Sequence, residues 1–177
     1  WRDDWPRKIS KDWRCLKIAP EHVRDDCDAV LLALKQDWTA VLHASRKLRG
    51  CRCIALAAVG SHWRAFEHLD SAVRGEPEIA LAAVRQSASA LQWVEKKALQ
   101  DRRVLLAAVR QQPDCFKRAP EELRFDRPLV LCAVKQEGSF LRFAAPRLQA
   151  DFQVVRTAVE SDGHALQHAS EVLRGDR

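Results

Sequence analysis

Asparagine and tyrosine are absent from this chain, methionine is absent even at residue 1, and glycine and proline number only 6 and 7 in 177 residues. Each shortage excludes something. A leucine-rich repeat needs a strand with an Asn or Cys ladder, which a chain without asparagine and with irregularly placed cysteines lacks. The few glycines form no phosphate-cradling loop and no nucleophile elbow. No apolar run approaches the roughly 20 residues that cross a bilayer, and no signal-peptide apolar region opens the chain. No membrane association is therefore expected. With 47% hydrophobic and 31% charged residues, disorder and collagen are excluded as well. The six cysteines, irregularly spaced and several among apolar residues, are expected to be reduced thiols acting as small hydrophobes, which points to an intracellular and by default cytoplasmic location.

What the chain does contain is a period. Its length is seven times 25 with two residues over, and in lines of 25 it aligns without gaps. Position 8 is Ala33, Ala58, Ala83, Ala108, Ala133 and Ala158; position 9 is Leu34 and then Val59, Val84, Val109, Val134 and Val159. A residue that must stay small marks a close approach of helices. Leu16, Val41, Phe66, Leu91, Phe116, Leu141 and Leu166 share position 16, with apolar residues again at 19 and 23, the i, i+3, i+7 spacing of a helical face. Pro20, Ser45, Asp70, Pro120 and Ser170 break that face at position 20 and announce a new helical turn. Asp26, Glu76, Asp101, Asp126 and Asp151 are N-cap candidates at position 1, and Arg24, Arg49, Arg74, Arg124 and Arg174 close the unit before.

The spacing predicts a helix over positions 2–11, a turn at 12 and 13, a short helix over 14–19 and a last helical turn through 24. Such short helices are marginal alone, so stacking must hold them. The expected fold is all-α, an α-solenoid of about seven 25-residue repeats with two to three short helices each. Residues 1–25 form a degenerate first repeat or cap, in which Trp5 to Ser10 replace the apolar helix, and 26–177 the regular array: 26–50, 51–75, 76–100, 101–125, 126–150 and 151–175. Asp176 and Arg177 match the start of an eighth unit, so the chain is expected to be a fragment of a longer array.

The run from Asp101 to Gln111, then Cys115 to Arg124 and Asp126, resembles the tandem repeats of the domain of unknown function 4116 family. The resemblance extends over residues 26–175 and departs from the pattern at the early Trp residues and at Ala98-Leu99. It implies a fold and no activity, since the family offers no catalytic residues to carry over.

His164 and His168 stand four apart, a spacing that can present two imidazoles to one metal, but no third ligand of obvious type stands nearby; Cys51 and Cys53 with His62 and His68 match no standard zinc spacing. No metal, no cofactor and no enzyme activity are expected. Lys35-Gln36, Arg85-Gln86, Arg110-Gln111 and Lys135-Gln136 fall at positions 10 and 11, a ladder that could meet nucleic acid or another acidic partner, although basic residues also suit a helix C-terminus. Trp13, Trp38 and Trp63 share position 13, with Arg14 and Arg64 beside two of them. They read either as an exposed protein-binding strip or as core beneath the neighbouring repeat. The expected function is a non-enzymatic scaffold that binds another protein; nucleic-acid or acidic-ligand binding and a structural spacer are the alternatives.

Overall fold

The computed structural model of the chain describes residues 4–175, so residues 1–3 of the expected cap and the Asp176-Arg177 pair lie outside the described residues. Among those described, every regular element is helical and no strand occurs. Contacts divide the chain into two compact units, one reaching to Ala98 and the other starting at Leu99. The same local course recurs in each.

Residues 51–75 show that course. An α-helix runs Arg52–Ser61, His62 is extended, a 3₁₀ helix runs Trp63–His68, Leu69 and Asp70 are extended, and a helical turn follows at Ser71–Arg74. In the second unit Arg127–Gln136, Gly138–Phe143 and Pro146–Gln149 repeat it. The expected helix over positions 2–11 is present. The turn and second helix require correction: position 12 alone breaks the chain, and the next helix covers 13–18 with 3₁₀ geometry.

The reason is a second cap. Position 12 is extended, with φ −155° and ψ 128° at Ser87. At Asp37, His62, Ser87 and Asp162 its side chain accepts from the N–H two residues on, whereas Gln112 and Glu137 keep the extended backbone without a side-chain cap bond. Asp37 accepts from Thr39 at 2.8 Å and Asp162 from His164 at 2.9 Å. A 3₁₀ helix has three residues per turn, so positions 13 and 16 eclipse and the residue at 13 lies in line with the core.

At position 1, Asp26, Asp101, Asp126 and Asp151 cap their helices as the sequence predicts. Glu76 does not; its longer carboxylate instead pairs with Arg52 of the preceding repeat. Of the closing arginines, Arg74 bonds Glu95 at 3.1 Å and Arg124 Nε donates to the Ala119 carbonyl at 3.1 Å. The first repeat also differs from expectation. Trp5–Lys11 is helical, capped by Asp4, with Pro6 tolerated in the first turn, and Ile9 at position 9 is fully buried.

Core packing follows the register. All six position-8 alanines are fully buried, as are Val59, Val84, Val109 and Val134 next to them. Val41, Phe66, Phe116 and Leu141 at position 16 are likewise sealed, each such side chain contributing roughly 1.5–3 kcal/mol. Successive repeats are then joined through the backbone. Except at Pro120, which has no N–H, the amide at position 20 donates to the carbonyl at position 24 of the repeat before: Ser45 to Arg24 at 2.9 Å and Asp70 to Arg49 at 3.1 Å in one unit, Ala145 to Arg124 at 3.1 Å and Ser170 to Gln149 at 2.9 Å in the other.

Gly138 shows how close the packing becomes at position 13. A Cβ there would stand 2.2 Å from the Ala158 carbonyl oxygen, at position 8 of the next repeat, whereas at Gly163 it would meet nothing within 4 Å. Gly138→Ala should therefore destabilise the protein by about 1–3 kcal/mol, the usual cost of overpacking. Gly163→Ala should be neutral or stabilise by a few tenths up to about 1 kcal/mol. Denaturant titration of the two variants distinguishes them.

Candidate functional site

Position 13 carries tryptophan in three successive repeats, and the eclipsed 3₁₀ geometry decides where those rings go. Trp13, Trp38 and Trp63 are all half-buried. Trp13 stacks on His43, with ring centroids 6.2 Å apart and planes at 23°. Trp38 lies between two imidazoles of the following repeat, His62 at 5.2 Å and His68 at 6.3 Å, and His62 stacks in turn on Trp63 at 5.9 Å. The rings form a Trp-His edge rather than bare indoles. Arg14 and Arg64 stand over Trp13 and Trp63 at 5.9 and 5.7 Å. Position 18 supplies the imidazoles of this edge, His43 and His68, and Trp93 in the same unit is half-buried like them; in the second unit Phe143 and His168 at position 18 are half-buried as well. His62 also caps its own 3₁₀ helix, its Nδ1 accepting from the Arg64 N–H at 3.1 Å.

The first-helix face of the same unit carries a groove of about 590 Å³, lined by Leu31, Leu32, Leu34 and Ala57 with Asp28, Lys35 and Ser61 at its margins. Sequence reasoning did not single it out. The signal was there, because positions 6 and 7 extend the apolar stripe beyond the sealed positions 8 and 9. Leu31 and Leu32 are half-buried and Leu56 is 40% exposed, so apolar side chains at these positions lack full cover.

The expected ladder separates into two parts. Lys35, Arg85, Arg110 and Lys135 are exposed, but the glutamines beside them have structural work. Gln36 Nε2 donates to the Ile9 carbonyl at 2.7 Å while its Oε1 accepts from the Trp13 N–H at 3.1 Å. Gln86 reaches the Val59 carbonyl and Gln136 the Val109 carbonyl, at 2.5 and 2.8 Å. Each caps the end of the preceding repeat's helix. Gln111 donates within its own helix to Ala107 at 3.3 Å.

The cysteine reading changes as well. Cys115 is buried as a small hydrophobe, but Cys53 is exposed, because position 3 faces outward and elsewhere holds Asp28, Glu78, Arg103 and Gln153. His62 and His68 stack on Trp38, while Cys53 meets two thiols: Cys51 Sγ at 3.1 Å and Cys27 Sγ at 3.6 Å. Repeat register could have found this cluster, since Cys27 and Cys53 occupy positions 2 and 3 of successive repeats. Among the described residues no group of three or more His, Cys, Asp or Glu side chains is arranged to hold a metal ion, and none of the helices is long and apolar enough to cross a membrane.

The regular course of position-1 caps, position-8 alanines and closing turns is the pattern by which this chain can be compared. Residues 101–149 match the family model of a domain of unknown function, DUF4116. The DUF4116 match lies in the second compact unit and takes in the helices Arg102–Gln111 and Arg127–Gln136 with the 3₁₀ segments after them. No curated protein and no solved structure matches the chain.

One titration belongs to the Trp-His edge. Burial holds the His43 imidazole below its ordinary value of 6.5, and the Lys17 and Arg24 charges act in the same direction. As pH falls through 6.5, the unfolded histidine takes up a proton that folded His43 refuses, so stability falls. The denaturation midpoint should drop between about pH 7.5 and pH 5.5, and drop less in His43→Phe, which retains an aromatic ring against Trp13.

Proposed function

We propose that the chain is a non-enzymatic scaffold, an α-solenoid of 25-residue helical repeats, whose first-helix face binds an apolar segment of another protein flanked by acidic residues. The observation that carries this reading is the groove at Leu31, Leu32, Leu34 and Ala57, with Lys35 at its margin. Charge complementarity favours acidic flanks, because the chain carries a formal net charge of +6. The Trp-His edge extends the same unit's surface and offers aromatic ring edges beside Arg14 and Arg64.

A scaffold role also agrees with how the carboxylates are used. Asp26, Asp37, Asp70, Asp101, Asp126, Asp151 and Asp162 each accept a backbone N–H at a helix start. These groups serve the architecture. The glutamines at positions 36, 86 and 136 are similarly committed, which leaves the basic rungs without the polar readers a nucleic-acid code would need.

A peptide display library selected on the full chain tests the reading. Selection should enrich apolar peptides bounded by Asp or Glu, and Leu32→Asp should weaken the best of them by about tenfold or more. Affinity should fall only modestly between about 0.1 and 0.5 M salt. Steeply salt-dependent binding of a single-stranded oligonucleotide, with no peptide enrichment, would support the nucleic-acid reading instead. If neither binds, the chain is a spacer.

A further inference from the structure

The structure assigns a redox-modification site to Cys27, Cys51 and Cys53: a peroxide oxidises Cys51, Cys53 resolves it, and exchange with Cys27 leaves a Cys27–Cys53 disulfide that ties two successive repeats together. The argument begins with register. Position 1 is a carboxylate in Asp26, Glu76, Asp101, Asp126 and Asp151, and the one other occupant among these regular repeats is Cys51. The site opens the ten-residue helix Arg52–Ser61, where orphan N–H groups and the helix dipole favour an anion. A thiol placed where its counterparts are carboxylates is drawn toward thiolate.

The surroundings agree with that bias. The Cys53 thiol's hydrogen bond, followed by the N–H groups of Cys53 and Ile54, holds the Cys51 thiol below its ordinary value. Cys53 is pushed up to about 11, first by that same bond to Cys51 and then by burial. Cys53 therefore retains its proton and stands between two sulfurs, 3.1 Å from Cys51 and 3.6 Å from Cys27. Cys53 is exposed and the other two are half-buried, so a small oxidant reaches them.

The chemistry balances in three steps. The Cys51 thiolate attacks one oxygen of hydrogen peroxide; the O–O bond breaks, hydroxide leaves and takes a proton, and Cys51 becomes a sulfenic acid. The Cys53 sulfur then attacks the Cys51 sulfur, the S–O bond breaks, and water leaves with the Cys53 proton. Two thiols have lost two electrons to the peroxide. Finally the Cys27 sulfur attacks Cys53 and expels Cys51, while the Cys27 proton passes to solvent. Place selects the sulfur attacked: Cys27 Sγ stands 3.6 Å from Cys53 Sγ, so attack falls on Cys53 and Cys51 is the sulfur released. The first disulfide closes a ring across a single residue, whereas the second spans residues 26 apart in sequence and joins the helices Cys27–Leu34 and Arg52–Ser61.

Cys15, Cys115 and Cys132 are internal controls; burial pushes the Cys115 thiol up, away from reactivity. The full chain is treated with one equivalent of hydrogen peroxide, free thiols are alkylated, and the product is digested with trypsin. Cleavage after Arg24, Lys35, Arg49, Arg52 and Arg64 puts the three cysteines on separate peptides, 25–35, 50–52 and 53–64. Early samples should contain 50–52 joined to 53–64. Later ones should contain 25–35 joined to 53–64, released by dithiothreitol, with the three control cysteines still alkylated. Cys51→Asp supplies the carboxylate that caps the helix in four other repeats, so its circular dichroism should show the fold retained while cross-linking slows about tenfold or more. The assignment is overturned if oxidation spreads evenly over all six cysteines, if Cys51 becomes sulfinic acid while Cys27 and Cys53 stay alkylatable, or if Cys51→Asp cross-links at the original rate.

Discussion

One backbone hydrogen bond, from the N–H at position 20 to the carbonyl at position 24 of the repeat before, sets the register wherever position 20 is not proline, and the packing around those junctions depends on it. The helical pieces here run from 4 to 10 residues, too short to hold their shape alone in water. Each must gain order from its neighbour. At positions 19 and 20 the chain is extended, as at Ala44 and Ser45, which aims one amide away from its own helices. The amide is satisfied only by the repeat before, because a buried unpaired N–H would cost about 1–3 kcal/mol. Ser45, Asp70, Ala145 and Ser170 make that bond, and the glutamines Gln36, Gln86 and Gln136 add a second at the other end of the repeat. Register is thereby fixed by polar groups, while alanine at position 8 permits the close approach that lets those groups meet.

Positions outside this set are free to vary, and the candidate surfaces lie there. Position 13 sets Trp38 against imidazoles in one repeat and Gly138 against a backbone carbonyl in another. Positions 6 and 7 contribute Leu31, Leu32 and Ala57 to the groove. Position 1 tolerates residues that make no side-chain cap bond, as Glu76 and Cys51 show, so Cys51 can stand in a row of carboxylates without disturbing the helix it begins. A repeat can therefore keep its fold and exchange its surface.

How much of this was legible in the sequence depended on whether one residue or two decided the outcome. Ala58, Val59 and Phe66 announced their burial through recurrence alone, and Asp101 or Asp151 announced a cap by type and place. The caps at Asp37, Ser87 and Asp162 carried the same type of signal but fell where a turn was expected, and so the 3₁₀ helices after them were read as starting one residue late. The fate of Trp38 could not be read from its own position, because it is decided by His62 and His68, 24 and 30 residues further on. Gln36 looked like a surface reader for a related reason. A glutamine that bonds a carbonyl 27 residues away has the same letter as one that faces water.

Residue-resolved amide hydrogen exchange tests the central claim most directly. If the inter-repeat bond holds the repeats in register, the N–H groups of Ser45, Asp70, Ala145 and Ser170 exchange as slowly as buried helical amides such as that of Val134, although they lie in extended segments between short helices. Glu95, whose bond to Arg74 is longer at 3.5 Å, exchanges somewhat faster than these four. Exchange of all four at the rate of exposed loop amides, while the position 2–11 helices stay protected, would contradict the account.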